Sequence, residues 1–390
     1  MPGAPVTGRS RTSLGLEDLL AAAPDDWTVA APPGSEPRRW LALLTAGLRS
    51  EARLSAYGQY LARSDLLRGA RAISELHRAA AGPPLDARRP VVVIAGLPRT
   101  ATTLLHTVAA TQGGAWVPTT WEYDRPALIG TDDDEARRDA EAESAQRLDG
   151  FARIAPGFGA VHPMAATAPE ECDVLFAHCF ESFRILIQYE VPAYRSAWLA
   201  SDHEQCYALL AAALRRVEAQ PADGATAPVP VLKAPGHLHR YDTLRQHLPA
   251  AVVVQVHRPV AAVLPSWVDL VHRSRSAFSK QVAPRERLLA EWLGVFSSMV
   301  DHGLAVRAAS PSGWIGLHYD EVIADPAGAW RRAADTVDLA GRHRFGPGGG
   351  ETDRPMPRPA PQRSYDRSLP PALTAAVDDL DERYRGLVFG

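Results

Sequence analysis

The chain has 390 residues, 46% hydrophobic and 22% charged, with a formal net charge of −3; this is a globular composition, long enough to bury a large core without disulfide or metal staples and to form two or three domains or one large α/β domain. The charge argues against a non-specific nucleic-acid binder, whose surface is strongly basic, and no apolar run approaches the roughly 20 residues that span a bilayer. The opening stretch (MPGAPVTGRSRTSLGLEDLL) carries no secretory pattern, and Cys172, Cys179 and Cys206 form no CxxC pair, which points to reduced thiols in a cytoplasmic protein.

Residues 1–38 hold Ala-Pro clusters and predict a loosely ordered arm with one short helix; residues 40–80 carry apolar positions at helical spacing and predict one or two helices. The run Val91–Ala95 (VVVIA) is β-branched, follows a proline, and leads through a Gly/Pro-containing turn into residues 102–110 at helical period. The same strand, loop, helix unit recurs. Residues 229–232 (VPVL) lead into a Pro-Gly turn and a helix from about His237; residues 251–256 (AVVVQV) lead through His257-Arg258-Pro259 into another; residues 314–317 (WIGL) precede a helix near Tyr319.

Short, continuously apolar strands alternating with helices predict an α/β fold with a central parallel sheet of about five strands, covered by helices on both faces. Residues 130–220 predict a helical insertion over the ligand edge of the sheet, with segments near 134–148, 170–188 and 203–219. Residues 341–370 are Gly/Pro/Arg-rich and predict a long loop, of a length that in a compact domain is disordered or functional. A last helix is expected over 371–385.

The loop Gly96-Leu97-Pro98-Arg99-Thr100-Ala101-Thr102-Thr103 lies between a buried strand and a helix. Backbone N–H groups in such a loop converge, and the helix N-terminus adds partial positive charge, so together they cradle an anion. Thr102 and Thr103 can cap the helix or offer hydroxyls, and Arg99 adds a fork of charged donors. A nucleoside-triphosphate loop would read G-x-x-x-x-G-K-S/T; here Ala101-Thr102 replaces the Gly-Lys pair, which leaves a smaller anion cradle. An ordinary strand–helix connection with a hydroxyl cap is the plain alternative. In the second constellation, Pro259 suits a first helical position after Arg258, and Ser266, eight residues past Arg258, can share a side with the helix start at about 100° per residue. An arginine at a strand end and a nearby serine can grip one phosphate; a surface arginine and a packed serine would look the same.

Together these residues resemble the PAPS-dependent sulfotransferases, in particular their bacterial, tyrosylprotein-like branch, which opens with G-x-P-R-S/T-G-T-T-L-L. GLPRTATTLLH matches at Gly96, Pro98, Arg99, Thr100, Thr102, Thr103, Leu104 and Leu105 and departs at Ala101, where an alanine fits if its φ is negative. Arg258 and Ser266 match the family's pair on the nucleotide 3′-phosphate. Trp121-Glu122, Pro169-Glu170-Glu171 and the stretch from Leu232 through Lys233, Ala234, Pro235, Gly236 and His237 to Leu238 match three lesser elements in order and spacing, over about residues 90–340. Arg363-Ser364-Tyr365 stands where the family has a nucleotide-closing segment.

The resemblance implies a single sulfotransferase domain over 1–390 with a three-layer P-loop-like fold, in which 1–85 form an arm and helices, 130–220 shape the acceptor pocket and 341–370 form the loop. It implies in-line transfer of a sulfuryl group from 3′-phosphoadenosine 5′-phosphosulfate (PAPS) to a hydroxyl or amine of a small-molecule acceptor, releasing PAP, with no metal, nucleic acid or membrane partner and with homo-oligomers open. Small-molecule sulfation in secondary metabolism fits a chain without a secretory pattern. Gly96, Leu97, Pro98, Arg99, Thr100, Ala101, Thr102 and Thr103 then hold the 5′-phosphosulfate, and Arg258 and Ser266 the 3′-phosphate. Lys233, at a strand end, stabilises the leaving oxygen or the sulfuryl group. Glu122 is the first candidate for the acceptor's proton, with His237 and His178 as alternatives; Glu170 and Glu171 supply charge at a helix start, and His257 bonds locally. A small-molecule kinase or a PAP-binding protein without catalysis are the rival readings.

Overall fold

The computed structural model describes residues 12–79, 85–111, 114–156, 158–160, 162–218, 228–341 and 366–390. Five strands, β1 (Val91–Ala95), β2 (Ala115–Trp116), β3 (Val229–Lys233), β4 (Ala251–His257) and β5 (Trp314–His318), form one parallel sheet in the order β2-β3-β1-β4-β5. β1, β3 and β4 are buried along their whole length, which is why they read as unbroken apolar runs. Register sets Val93 opposite both Leu232 and Val253.

The period-2 alternation of side chains divides the core in two. Val91, Val93, Ala95, Ala251 and Val253 face the larger cluster, with Leu244, Phe296 and Tyr384 from the helices Tyr241–His247, Arg285–Ala309 and Pro371–Phe389. Val92, Ile94, Val252, Val254 and Val256 face the smaller one, with Leu105, Val108, Trp330 and Val337 from Thr102–Ala109 and Pro326–Gly341. The result is helix, sheet, helix.

Several expected elements take a different shape. The described part of the arm forms two short helices, Leu16–Leu20 and Trp27–Ala30, and Leu14, Leu19 and Trp27 are buried in the larger core. The helix expected over 170–188 is two, Cys172–Ala177 and Phe183–Gln188. Phe180 between them has φ 60°; the Tyr194 hydroxyl donates to its carbonyl at 3.1 Å and accepts the Ser182 N–H at 2.8 Å, and its ring packs edge-on to Trp27. These tertiary contacts override local helix preference. The segment 134–148 runs on as Asp134–Ile154, its start capped by Asp133 accepting from the N–H of Glu135 and Ala136. Past β3 the chain makes a 3-10 turn, Pro235–His239, before its helix. Pro265 sits inside the helix Val260–Phe278 without ending it. Of the expected 341–370 loop, Gly341 closes a helix and residues 366–370 are described; Arg363-Ser364-Tyr365 lies outside the described residues.

Candidate active site

Past β1 the chain turns at Gly96, whose φ is 129° and where an added Cβ would meet the Tyr384 hydroxyl at 2.7 Å. That hydroxyl accepts the Leu97 N–H at 3.1 Å and donates to the Val256 carbonyl at 2.8 Å. Arg99 (φ 65°) and Ala101 (φ 68°) are both left-handed, so the condition under which an alanine fits freely at 101, a negative φ, is not met; an L-residue there costs about 1–2 kcal/mol that glycine does not. Two left-handed residues alternating with Thr100 fold the loop into a concave nest. Ala101, not a threonine, occupies the N-cap position, without a side-chain cap, and Thr102 and Thr103 are the first two residues of Thr102–Ala109. The backbone N–H groups of residues 100–103 donate to no other described residue, as an anion-binding loop requires. Thr100 is fully buried, its hydroxyl donating to the Leu97 carbonyl at 2.8 Å.

Arg258, just past β4, joins this loop directly. Its Nη1 donates to the Arg99 carbonyl at 2.8 Å, its guanidinium lies 4.2 Å over the Tyr319 ring, and Arg99 Nε donates to Ser266 Oγ at 3.2 Å. Asp381, on the last helix, accepts the Val260 N–H at 2.8 Å and lies 3.3 Å from His257 Nε2. Burial lowers the His257 pKa against the opposing pull of Asp381.

Lys233 ends β3 and is 3% exposed. Its Nζ donates to Thr103 Oγ1 at 3.1 Å and pairs with Glu171. Burial alone would raise the Glu171 carboxyl, but Lys233 outweighs it and holds the pKa below the ordinary value. Glu170 accepts the Glu171 N–H at 2.8 Å. Two residues on, burial and then the Glu171 charge push Asp173 up to about 8.

The other proton-acceptor candidates are committed elsewhere. Glu122 completes a capping box: Oε2 accepts the Thr119 N–H at 2.7 Å and its hydroxyl at 2.8 Å, while Oε1 accepts the Trp116 indole at 3.0 Å. His237 is fully buried, with Nδ1 3.0 Å from the Tyr207 hydroxyl and a pKa driven by burial down to about 3. His178 sits 2.7 Å from the Tyr123 carbonyl, its pKa lowered by burial to about 4.

A cavity of about 680 Å³ opens at the carboxyl ends of β1 and β3, the edge where α/β sheets bind ligands. Arg99, Thr102, Thr103, Glu170, Glu171 and Asp173 line it; Glu122 and His237 do not. Its apolar wall includes Phe151, Phe158, Trp267, Leu270 and Phe278, and Tyr57 and Tyr60, about half-exposed, line it too. Phe176, Phe180 and Tyr189, from the same helical region as Phe151 and Phe158, are core and do not line it. Sequence reading passed over Tyr384, Tyr319 and Asp173. Asp173 alone left a signal, as a third acid in Glu170-Glu171-Cys172-Asp173; the other two act from elements distant in sequence. Among the described residues no group of three or more His, Cys, Asp or Glu could hold a metal ion, and no helix is long and apolar enough to cross a membrane.

The family model described as Sulfotransferase family matches residues 90–342. The structure is similar to sulfotransferase STF1 from Mycobacterium tuberculosis H37Rv (TM-score 0.72, 21% identity, covering 95% of this chain and 98% of that one) and to sulfotransferase STF9 from Mycobacterium avium (TM-score 0.66, 16% identity, 93% and 86%). No curated protein matches the sequence.

Proposed function

The chain belongs to the sulfotransferase family, and from that premise we propose that it transfers a sulfuryl group from PAPS to a hydroxyl or amine of a small-molecule acceptor held in the 680 Å³ cavity, releasing PAP. The observation that carries the reading is the double contact between loop 96–103 and the second constellation, Arg258 to the Arg99 carbonyl and Arg99 to Ser266. It supports one site built from two segments about 160 residues apart in sequence, with main-chain donors on one side and Arg258 and Ser266 on the other. That is the donor set an adenosine bisphosphate needs at its two ends.

The co-substrate supplies the sulfuryl group; positioning, charge stabilisation and proton removal fall to the chain. The open N–H groups of residues 100–103 and the Arg99 side chain hold the 5′ end, and Arg258 and Ser266 the 3′-phosphate. Lys233, bonded to Thr103 of the loop, puts a buried cation where negative charge develops on the leaving oxygen. For the acceptor's proton, the cavity-lining carboxylate Glu171 takes the role that sequence reading gave to Glu122, because Glu171 faces the cavity and shares Lys233 with the loop, whereas one Glu122 oxygen serves a helix start and the other accepts the Trp116 indole.

A thermal melt with PAP, ADP and ATP tests the nucleotide class. A ligand that binds only the folded state at 100 times its Kd adds about 2.7 kcal/mol, so PAP is expected to raise the melting temperature well beyond ADP or ATP. Equal shifts from PAP and ADP would overturn the reading.

A further inference from the structure

Six arginines line the cavity: Arg68, Arg71, Arg99, Arg125, Arg147 and Arg184. Five have acceptors. Arg68 pairs with Asp65 at 3.0 Å, Arg71 and Arg125 with Glu75 at 2.9 and 3.0 Å, Arg147 with Asp124 at 2.6 Å, and Arg99 bonds Ser266. The Arg184 guanidinium has no hydrogen bond or ion pair with any described residue; only its backbone N–H is engaged, by Ser182. The nearby Asp173, whose carboxyl burial pushes up to about 8, makes no hydrogen bond or ion pair with it.

Two further donors line the same cavity, from the helix of Arg184 and from the helix Val260–Phe278 packed against it. Gln188 lies one turn on from Arg184 in Phe183–Gln188, on the same helix face, and Ser274 comes from Val260–Phe278. Both line the cavity, and both are more than nine-tenths buried, Gln188 at 9% and Ser274 at 3% exposure. Neither side chain bonds a described residue, and neither has polar atoms sealed off from the cavity space. Buried polar groups are normally paired, so Gln188 and Ser274, in one cavity with the Arg184 guanidinium and without acceptors among the described residues, mark a place where a ligand supplies them.

We propose that Arg184, Gln188 and Ser274 form the binding site for a carboxylate on the acceptor, which makes the acceptor class a hydroxylated carboxylic acid with an aromatic or alicyclic body. One unpaired guanidinium matches one negative charge, and its planar fork fits a carboxylate's two oxygens. A dianion would need a second free cation, and the other lining arginines are already engaged. Phe151, Phe158, Trp267 and Phe278 take the apolar body. The word acceptor rests on the sulfotransfer reading; the carboxylate site itself does not.

Calorimetry with and without PAP tests both, using three phenolic acids, 4-hydroxyphenylacetate, 3-(4-hydroxyphenyl)propanoate and 6-hydroxy-2-naphthoate, each against its carboxamide. The wild-type protein is expected to bind at least one acid about 10–100-fold tighter than its amide, the worth of a charge-assisted pair. Arg184→Gln removes that preference while leaving the amide's affinity and PAP binding unchanged, and Gln188→Leu weakens the acid alone by a smaller factor. Equal binding of acid and amide in every pair, binding of none of the probes, or an acid preference that survives Arg184→Gln overturns the proposal. An acid preference without any PAP binding sinks the nucleotide reading and leaves the carboxylate site standing; PAP binding without the preference does the reverse.

Discussion

Loop 96–103 and the Arg184 wall of the cavity are both buried and polar, yet they are built in opposite ways. In the loop, side chains and carbonyls are tied down: Thr100 to Leu97, Arg99 to Ser266, Thr103 to Lys233, the Arg99 carbonyl to Arg258. What stays open is backbone N–H. On the wall the backbone is spent in a helix, and what stays open is side chain: Arg184, Gln188 and Ser274. Main-chain donors are fixed by φ and ψ and survive most substitutions, so they suit a partner that never changes. Side-chain donors are replaced one mutation at a time, so they suit a partner that differs from one relative to the next. The contrast agrees with the proposal that the co-substrate sits on the loop and the acceptor on the wall.

The sharpest way to break that division is at Lys233, where loop and cavity meet. Lys233→Met should lower turnover about 10²–10³-fold, the cost of losing one well-aimed charge-stabilising donor, while calorimetry finds PAP affinity nearly unchanged; wild-type turnover would remove Lys233 from the chemistry. Arg258→Ala comes next: PAP affinity should fall about 10–100-fold with the loss of a charged fork on phosphate, and unchanged affinity would detach the second constellation from the nucleotide. Glu122 separates a structural carboxylate from a catalytic one. Were it the base, Glu122→Gln would cost about 10²–10⁴-fold in rate. As a capping-box residue it should tolerate glutamine with turnover intact, and Glu122→Ala should lose about 1 kcal/mol of stability by urea denaturation. The smallest effect is at Ala101. Ala101→Gly should stabilise the protein by about 1 kcal/mol by relieving a left-handed alanine; a lower denaturation midpoint would show that the nest carries no strain there.

How far the sequence reached follows the same division. β1, β3 and β4 were legible because apolar runs buried along their whole length leave a contiguous trace; β5, a partly buried edge strand, was legible because it repeats the same strand, loop, helix unit, whereas β2 is a two-residue edge strand with too little chain to leave a trace. The loop and its arginine–serine partner could be found because their residues are adjacent or eight apart. The left-handed Ala101 and Phe180 could not, since neither carries the glycine that signals positive φ; at Phe180, contacts from Tyr194 and Trp27 hold the residue. The capping role of Glu122 was hidden for a related reason: a Thr-x-x-Glu capping pattern and a catalytic glutamate after a strand look alike in one dimension. The cavity wall was illegible because its residues come from helices spread between Tyr57 and Phe278, and no spacing rule connects them.

The hydroxyl of Tyr384 touches both the turn after β1 and the end of β4, so the loop that begins there gains this tie only when a helix made some 280 residues later has docked. A nascent chain still on the ribosome therefore carries the loop sequence without one of the contacts that shape it, and that contact arrives with the closing helix.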